Sequence, residues 1–560
     1  FSLKIQLLLI SLLMIITAFT EVLTIGSIIP FVAGIIDPSK LYEVSYIKDF
    51  LQQYNIQQSQ ITTYVLILFI TVVILVTTTN LLFSFLNIKF SQKCALYLSD
   101  KIFKNYLNKD YELILNKNSS FFLSSLIQKN DSVVSVIQQY LLLVINILIL
   151  SFITILIFLY SPIFTLYVIL VFISFYAFLS LILKSILKNF SISIANLITK
   201  RTKILSETFR GFRQVILDNS QKILQFIFLS TEKEYRSIEA KTSFLGHAPR
   251  YFFEGLGMIV IALIAVYLKK QNILNANDLI TYLALLAVSA QRALPKINQA
   301  FTAWTNISAM KQNLVDVNEL AFNVIEKKDY TIDKNFKFEN KILFKDVSFS
   351  YFKNSIRVIK NLNVVIKKGE KIVIRGDSGS GKSTFLDLFL GLLKPSSGKI
   401  FVDDKELTIE NKVSYQKLIS SVAQNPSFLD ASISENIVFH IDRYNSNEKR
   451  IIKSTKDAEI FDLIMNLDNQ FDTNMGENGL QLSGGQRQRI SIARALYRTH
   501  DILICDEATN SLDADTENRL IKNLLKDKNK TIIFVTHNKN IGKHFDTTYN
   551  IVDGNLLKVL

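Results

Sequence analysis

Gly376-Asp377-Ser378-Gly379-Ser380-Gly381-Lys382-Ser383-Thr384 fits the pattern G-x-x-x-x-G-K-[ST], whose chemistry is the holding of nucleotide phosphates. Glycines at 376, 379 and 381 let backbone N–H groups approach phosphate oxygens. Lys382 is placed to reach the terminal phosphates, and Ser383 to offer a hydroxyl to Mg²⁺. The apolar stretch Lys371–Ile374 precedes this loop, and a helix opens after it through Phe385 and Leu386. That placement adds a helix N-terminus to the anion site. Further on, Ile502-Leu503-Ile504-Cys505 reads as a buried strand ending in the carboxylates Asp506 and Glu507. Such a strand delivers Asp506 to a metal and sets Glu507 where it can polarise a water. Leu482-Ser483-Gly484-Gly485-Gln486 stands about one helix upstream of that pair.

These residues need a soluble α/β region to position them, and the composition says the rest of the chain is different. The 560 residues are 49% hydrophobic with 20% charged, and the mean hydropathy is +0.27. That mixture fits a membrane region fused to a soluble one, and the length exceeds one ordinary domain. The net charge is +15, but the basic residues sit between apolar runs instead of forming a patch with interleaved aromatics. No nucleic-acid partner is expected. Cys94 and Cys505 read as neither disulfide partners nor metal ligands.

Spanning a bilayer takes roughly 20 apolar residues, and such runs occur near 5–36, 61–88, 136–159, 163–183, 251–268 and 279–300. The first is too long for the core of a signal peptide, and because the chain opens on Phe1 a short preceding piece is expected. Tyr160-Ser161-Pro162 is short enough to make runs three and four a helical hairpin. The stretches 89–135 and 184–250 mix charged and apolar residues at helical spacing and are expected to continue helices beyond the membrane. The first carries Lys89, Lys93, Lys101, Lys104, Lys109, Lys117 and Lys129; the second carries Lys184, Lys188, Lys200, Arg201, Lys203, Arg210 and Arg213. Their counterparts at 37–60 hold only Lys40 and Lys48, so the basic loops face the cytoplasm. The expected division is a membrane domain over 1–310, a charged linker over 311–335 and a nucleotide domain over 336–560.

Taken together, the motifs of 336–560 resemble the nucleotide-binding domain of an ABC transporter, in the family's order. The resemblance implies a multi-domain fold: a six-helix all-α transmembrane domain of the ABC exporter type, then an α/β P-loop domain. It implies that Tyr351 stacks on adenine and that Gln424, in Val422-Ala423-Gln424-Asn425-Pro426, touches Mg²⁺. It implies that Ser483, Gly484, Gly485 and Gln486 bind the γ-phosphate held by a second subunit, with Asp513 at the seam. His537, after the apolar Ile532–Val535, resembles the residue that senses the γ-phosphate. Asn474 stands where many exporters carry a glutamate, which puts that cross-subunit contact in doubt. The ATP and Mg²⁺ sites are thus Tyr351, Gly376, Ser378, Gly379, Gly381, Lys382, Ser383, Thr384, Gln424, Asp506, the 483–486 turn and Asp513, with Glu507 and His537 catalytic. A homodimer of half-transporters is implied, with coupling helices near Leu113–Ser120 and Thr208–Ile216.

Polar groups inside membrane spans are costly unless used. Glu21 lies near the middle of the first run, Arg292 and Lys296 one turn apart in the last, and Arg250 opens the fifth. Cations lining a cavity suit an anionic head group such as a pyrophosphate; alternatively they snorkel to the interface and Glu21 pairs with one of them. Glu21 through Pro30-Phe31, Tyr46–Leu51, Ala248-Pro249-Arg250 through Gly257, and Gln291–Pro295 look like the PglK-type flippases of lipid-linked oligosaccharides. That second resemblance implies a polyprenyl-pyrophosphate-linked glycan as cargo, moved across a bacterial inner membrane. A lipid A or phospholipid flippase and a multidrug or peptide exporter remain as alternatives.

Overall fold

The computed structural model describes residues 3–36, 60–115, 119–160, 162–270, 276–322, 333, 336–351, 356–439, 447–538 and 541–559. The chain divides into two units, 1–109 with 114–325, and 110–113 with 326–560.

The first unit is helical. Its long helices are α1 (Leu3–Ile36) and α2 (Ile61–Leu107), and the short α3 (Tyr111–Leu115) and α4 (Ser119–Ser124) follow. A π-helical turn, Ser125–Lys129, then leads into α5 (Asn130–Tyr160). The remainder are α6 (Pro162–Arg210), α7 (Phe212–Leu217), α8 (Gln221–Lys270) and α9 (Ala276–Phe322). At 1.5 Å per residue the 47 residues of α2 extend about 70 Å, more than twice a bilayer's hydrocarbon core. The charged stretches therefore prolong the apolar ones as single helices. Four helical stretches among the described residues are long and apolar enough to cross a membrane: Leu3–Val32, Ile61–Leu107, Ser119–Leu159 and Ile173–Arg210. The expected fifth and sixth spans lie on α8 and α9, where many side chains, including all of 276–289, fall outside the described residues. Tyr46–Leu51 also lies outside them.

Three expectations shift. The chain remains helical to Phe322, so the linker expected from 311 starts later. The reason is an apolar stripe among the charges: Val317, Leu320 and Ala321 are buried, with Asn313 one turn before them. The two short helices expected near Leu113–Ser120 and Thr208–Ile216 are Tyr111–Leu115 and Phe212–Leu217. Thr208 belongs to α6, which continues to Arg210 before the helix ends at Gly211.

The second unit has two sheets. β1 (Lys341–Phe349), β2 (Ile359–Lys367), β4 (Ser397–Val402) and β5 (Lys405–Glu406) form an antiparallel sheet in the order β2-β1-β4-β5. β3 (Lys371–Gly376), β6 (Ile419–Val422), β7 (Ile502–Asp506), β8 (Thr531–Val535), β9 (Thr547–Val552) and β10 (Asn555–Lys558) form the other, ordered β10-β9-β3-β8-β7-β6. Its pairs from β9 to β6 are parallel. Parallel strands covered on both faces read as continuous apolar runs, and β7 shows why. Ile502 and Ile504 enter one buried cluster while Leu503 and Cys505 enter another.

Candidate nucleotide site

Strand order decides which residues meet. β3, β8, β7 and β6 are consecutive neighbours, and Ile374 and Asp506 both register with Val535. The phosphate loop leaves β3, His537 follows β8, the carboxylates end β7, and Gln424 follows β6. All four groups therefore emerge at the carboxyl ends of adjacent parallel strands, where open α/β sheets place ligands.

Gly381 has φ +103°, a left-handed conformation open to glycine, and from it the helix α10 (Lys382–Phe389) starts. The Lys382 ammonium donates to the carbonyls of Gly376 (2.9 Å) and Asp377 (2.8 Å). Those two bonds leave one of its three N–H groups for another acceptor. The buried Ser380 hydroxyl has no hydrogen-bond partner among the described residues. An unused ammonium proton and an orphaned hydroxyl in one loop fit a phosphate-bearing ligand. Opposite in sign, burial raises the Asp506 carboxyl above the usual range, Glu507 adds to the effect and Lys382 opposes it. Asp387 is pushed up to about 6 by burial and by Asp506. Among the described residues no three His, Cys, Asp or Glu side chains converge as a metal site, so a hard divalent cation here would take Asp506 together with hydroxyl, amide and phosphate oxygens.

Glu507 is the most constrained of the predicted residues. Its φ of +48° puts a non-glycine residue in the left-handed region, a local strain of the kind found at working sites. Its amide is anchored to the Val535 carbonyl at 2.9 Å. One carboxylate oxygen accepts from Gln424 Nε2 at 2.7 Å and from Asn510 Nδ2 at 2.8 Å. The other lies 3.0 Å from His537 Nε2. Gln424, Glu507 and His537, far apart in sequence, thus converge. Asn510, three residues after Glu507, belongs by resemblance to the 510–513 stretch that ends in Asp513, and its contact with Glu507 was not foreseen. Gln488 was missed altogether: its side chain is buried and bridges the Glu507 carbonyl and the Ser511 amide, at 3.4 and 3.0 Å.

The 483–486 turn is built as a helix start. Ser483 caps the helix Gly484–Tyr497, and the Ser483 amide donates to Gln486 Oε1 at 2.8 Å. A Cβ on Gly485 would lie 2.8 Å from the Ser511 carbonyl oxygen, so only glycine lets this turn rest on 511. Among the described residues, the hydrogen bonds of 483–486 stay within the turn and its own helix. Within one chain this turn does not join the phosphate loop. Asp513 caps the helix Ala514–Leu525 through the Thr516 amide at 2.9 Å, which holds its carboxyl below the usual range. The Tyr351 hydroxyl is 3.1 Å from Thr384 Oγ1, bringing that ring to the flank of α10. Asn474 accepts from the Gly476 amide at 2.7 Å and shapes its own turn.

With this geometry in hand, comparison with known proteins is decisive. Residues 7–292 match the model of the ABC transporter transmembrane region, and 359–510 match that of the ABC transporter. The chain belongs to the ABC transporter family. It is similar to the mouse ATP-binding cassette sub-family B member 5, at 40% identity over 42% of the chain and 19% of that protein. It also resembles the Beta-(1-->2)glucan export ATP-binding/permease protein NdvA of Agrobacterium vitis, at 29% identity over 54% of the chain and 51% of that protein. The matched stretches thus span from about a fifth to about half of these relatives. A solved bacterial Atm1-family ABC exporter with ATP bound shares the fold at TM-score 0.79 and 18% identity, covering 99% of this chain and 95% of that one. The fold is that of an exporter-type half-transporter.

This ABC transporter also carries a charged cluster in its helical unit. Glu21 is 4% exposed, and one of its oxygens accepts from Asn80 Nδ2 at 3.0 Å and lies 3.4 Å from Lys296 Nζ. The other oxygen is 3.5 Å from the Arg292 guanidinium. Three of the four intramembrane charges singled out in the sequence therefore meet, with the unforeseen Asn80. Arg250 does not join them; it pairs along its own helix with Glu254 at 2.7 Å and is exposed.

Proposed function

We propose that two copies of this ABC transporter clamp ATP and Mg²⁺ between them and use hydrolysis to export a polyprenyl-diphosphate-linked glycan. The observation that carries the catalytic half is the three-point hold on Glu507 by Gln424, Asn510 and His537. Such a carboxylate is oriented as a general base. It takes a proton from water as the water attacks the γ-phosphorus and the bond to ADP breaks. Lys382 holds the terminal phosphates. Ser383, Gln424 and Asp506 would hold Mg²⁺, which when bound neutralises charge on the phosphates. His537 steadies Glu507 and stands ready to report the γ-phosphate. The Ser483–Gln486 turn, capped and unengaged with its own phosphate loop, is available to the nucleotide of a second copy.

ATP favours the closed pair, and the membrane helices follow as a population shift. The cargo reading rests on Arg292 and Lys296, whose two positive charges face one carboxylate in Glu21, and on the similarity to NdvA. A bacterial inner membrane is the setting that this similarity supports. A phospholipid or multidrug cargo is the rival.

Reconstitution in proteoliposomes tests the proposal. ATP should move a diphosphate-linked glycolipid between leaflets faster than a zwitterionic phospholipid or a cationic drug. Preferential movement of either rival would overturn the cargo reading.

A further inference from the structure

A cavity of about 300 Å³ lies beside Glu21, with Thr24, Thr77, Asn80 and Arg292 among its lining and the rest of its wall from α2. Glu21 is bonded to Asn80 of that lining and is 4% exposed, whereas 42% of the Arg292 side chain and 19% of Lys296 remain accessible. Both ion-pair contacts are long, and among the described residues neither cation has another partner. A guanidinium with five N–H groups and an ammonium with three are far from satisfied by one carboxylate. The trio carries one net positive charge in a setting where an uncompensated charge is costly. Arg292 and Lys296 lie one turn apart, so a single multi-oxygen anion can bridge them.

We propose that Glu21 is a resident counter-ion that an incoming phosphate-type head group must displace, so that it sets how much negative charge a cargo needs. The inference rests on the anionic-cargo reading and adds a specificity-determining residue to it. A monophosphate offers too little charge to compete with Glu21 for both cations. A diphosphate offers enough, and the neutral Asn80 amide keeps hold of the Glu21 carboxylate as its cations turn to the ligand. Zwitterionic head groups gain nothing, because their own cation would meet Arg292.

The test uses the full-length transporter in nanodiscs, with ATP hydrolysis read against added farnesyl diphosphate, farnesyl monophosphate or inorganic pyrophosphate. In the unmodified protein the diphosphate should stimulate at lower concentration than the monophosphate. In Glu21→Gln, which can still accept from Asn80, the half-maximal monophosphate concentration should fall about tenfold and the two lipids should become nearly equivalent. An unchanged ratio between them overturns the inference while leaving the cargo reading intact. An unmodified protein indifferent to every anion overturns both. Stimulation by inorganic pyrophosphate alone supports the anion site and overturns the lipid source. If Glu21→Gln does not elute as a folded dimer, Asn80→Ala keeps all three charges and removes the amide that holds Glu21 once it is displaced. It should raise the half-maximal monophosphate concentration about threefold, and an unchanged or lower value there also overturns the inference.

Discussion

At the scale of single residues, the account turns on how Glu507 is held. Glu507→Gln keeps the shape and loses the base, so steady-state hydrolysis should fall by about 10² to 10³ while ATP binding persists. A phosphate-release assay paired with nucleotide binding checks this, and sustained turnover in the variant would remove Glu507 from its role. Asn510→Ala withdraws one of two donors to the same oxygen. It should lower turnover less, by about tenfold, with little change in ATP affinity. Much of this site was legible in the sequence because its residues sit in motifs of fixed spacing that end apolar strands. Asn510 and Gln488 were not, since a side chain that orients another carries no pattern of its own. Asn80 was hidden for a related reason: a lone amide after three threonines reads as a polar blemish in an apolar run until Glu21 is seen against it.

At the scale of elements, buried polar contacts pin helices together in ways that apolar periodicity does not reveal. Lys129, 1% exposed on the π-helical turn, pairs with Asp316 of α9, and Gln312 also donates to that carboxylate at 2.9 Å. Asn105 of α2 donates to the carbonyls of Leu320 and Ala321 near the end of the same helix. Asp316→Ala strands the Lys129 ammonium and should cost on the order of 3 kcal/mol. The Lys129→Met, Asp316→Leu pair should recover most of the loss of thermal midpoint. Failure of the double variant to recover would show that the pair does more than match charge. The extension of α9 to Phe322 was missed for this reason: its charges looked like a linker, and its buried stripe becomes plain only against its neighbours. His500 lies at the junction between the helix Gly484–Tyr497 and β7. Burial, with Lys530 adding to it, pulls the His500 imidazole down to about 4, below its ordinary value of 6.5. The unfolded chain therefore takes up this proton first. The stability contributed by neutral His500 is complete above about pH 6.5 and is lost as pH falls towards 4. Unfolding midpoints measured from pH 7 to pH 5 should drop, and His500→Gln should flatten the slope; an equal slope would place the acid sensitivity elsewhere.

At the scale of the whole molecule, apolar run lengths and the split composition carried the fold class, because a bilayer and a soluble sheet impose different periods on a chain. What they could not carry is whether two copies pair as proposed, which depends on surfaces left unattached to the phosphate loop of their own chain. The Ser483–Gln486 turn is such a surface: rigidly capped, seated on Ser511 through Gly485, and unattached to its own phosphate loop. The central claim is that a second copy uses it. Cysteines introduced at Ser380 and Ser483, in Glu507→Gln protein lacking Cys94 and Cys505, test that claim most directly. With ATP and Mg²⁺ present, oxidation should join two chains into one covalent dimer, and omission of nucleotide should sharply reduce the yield. No crosslink with ATP, or the same yield without it, would contradict the account.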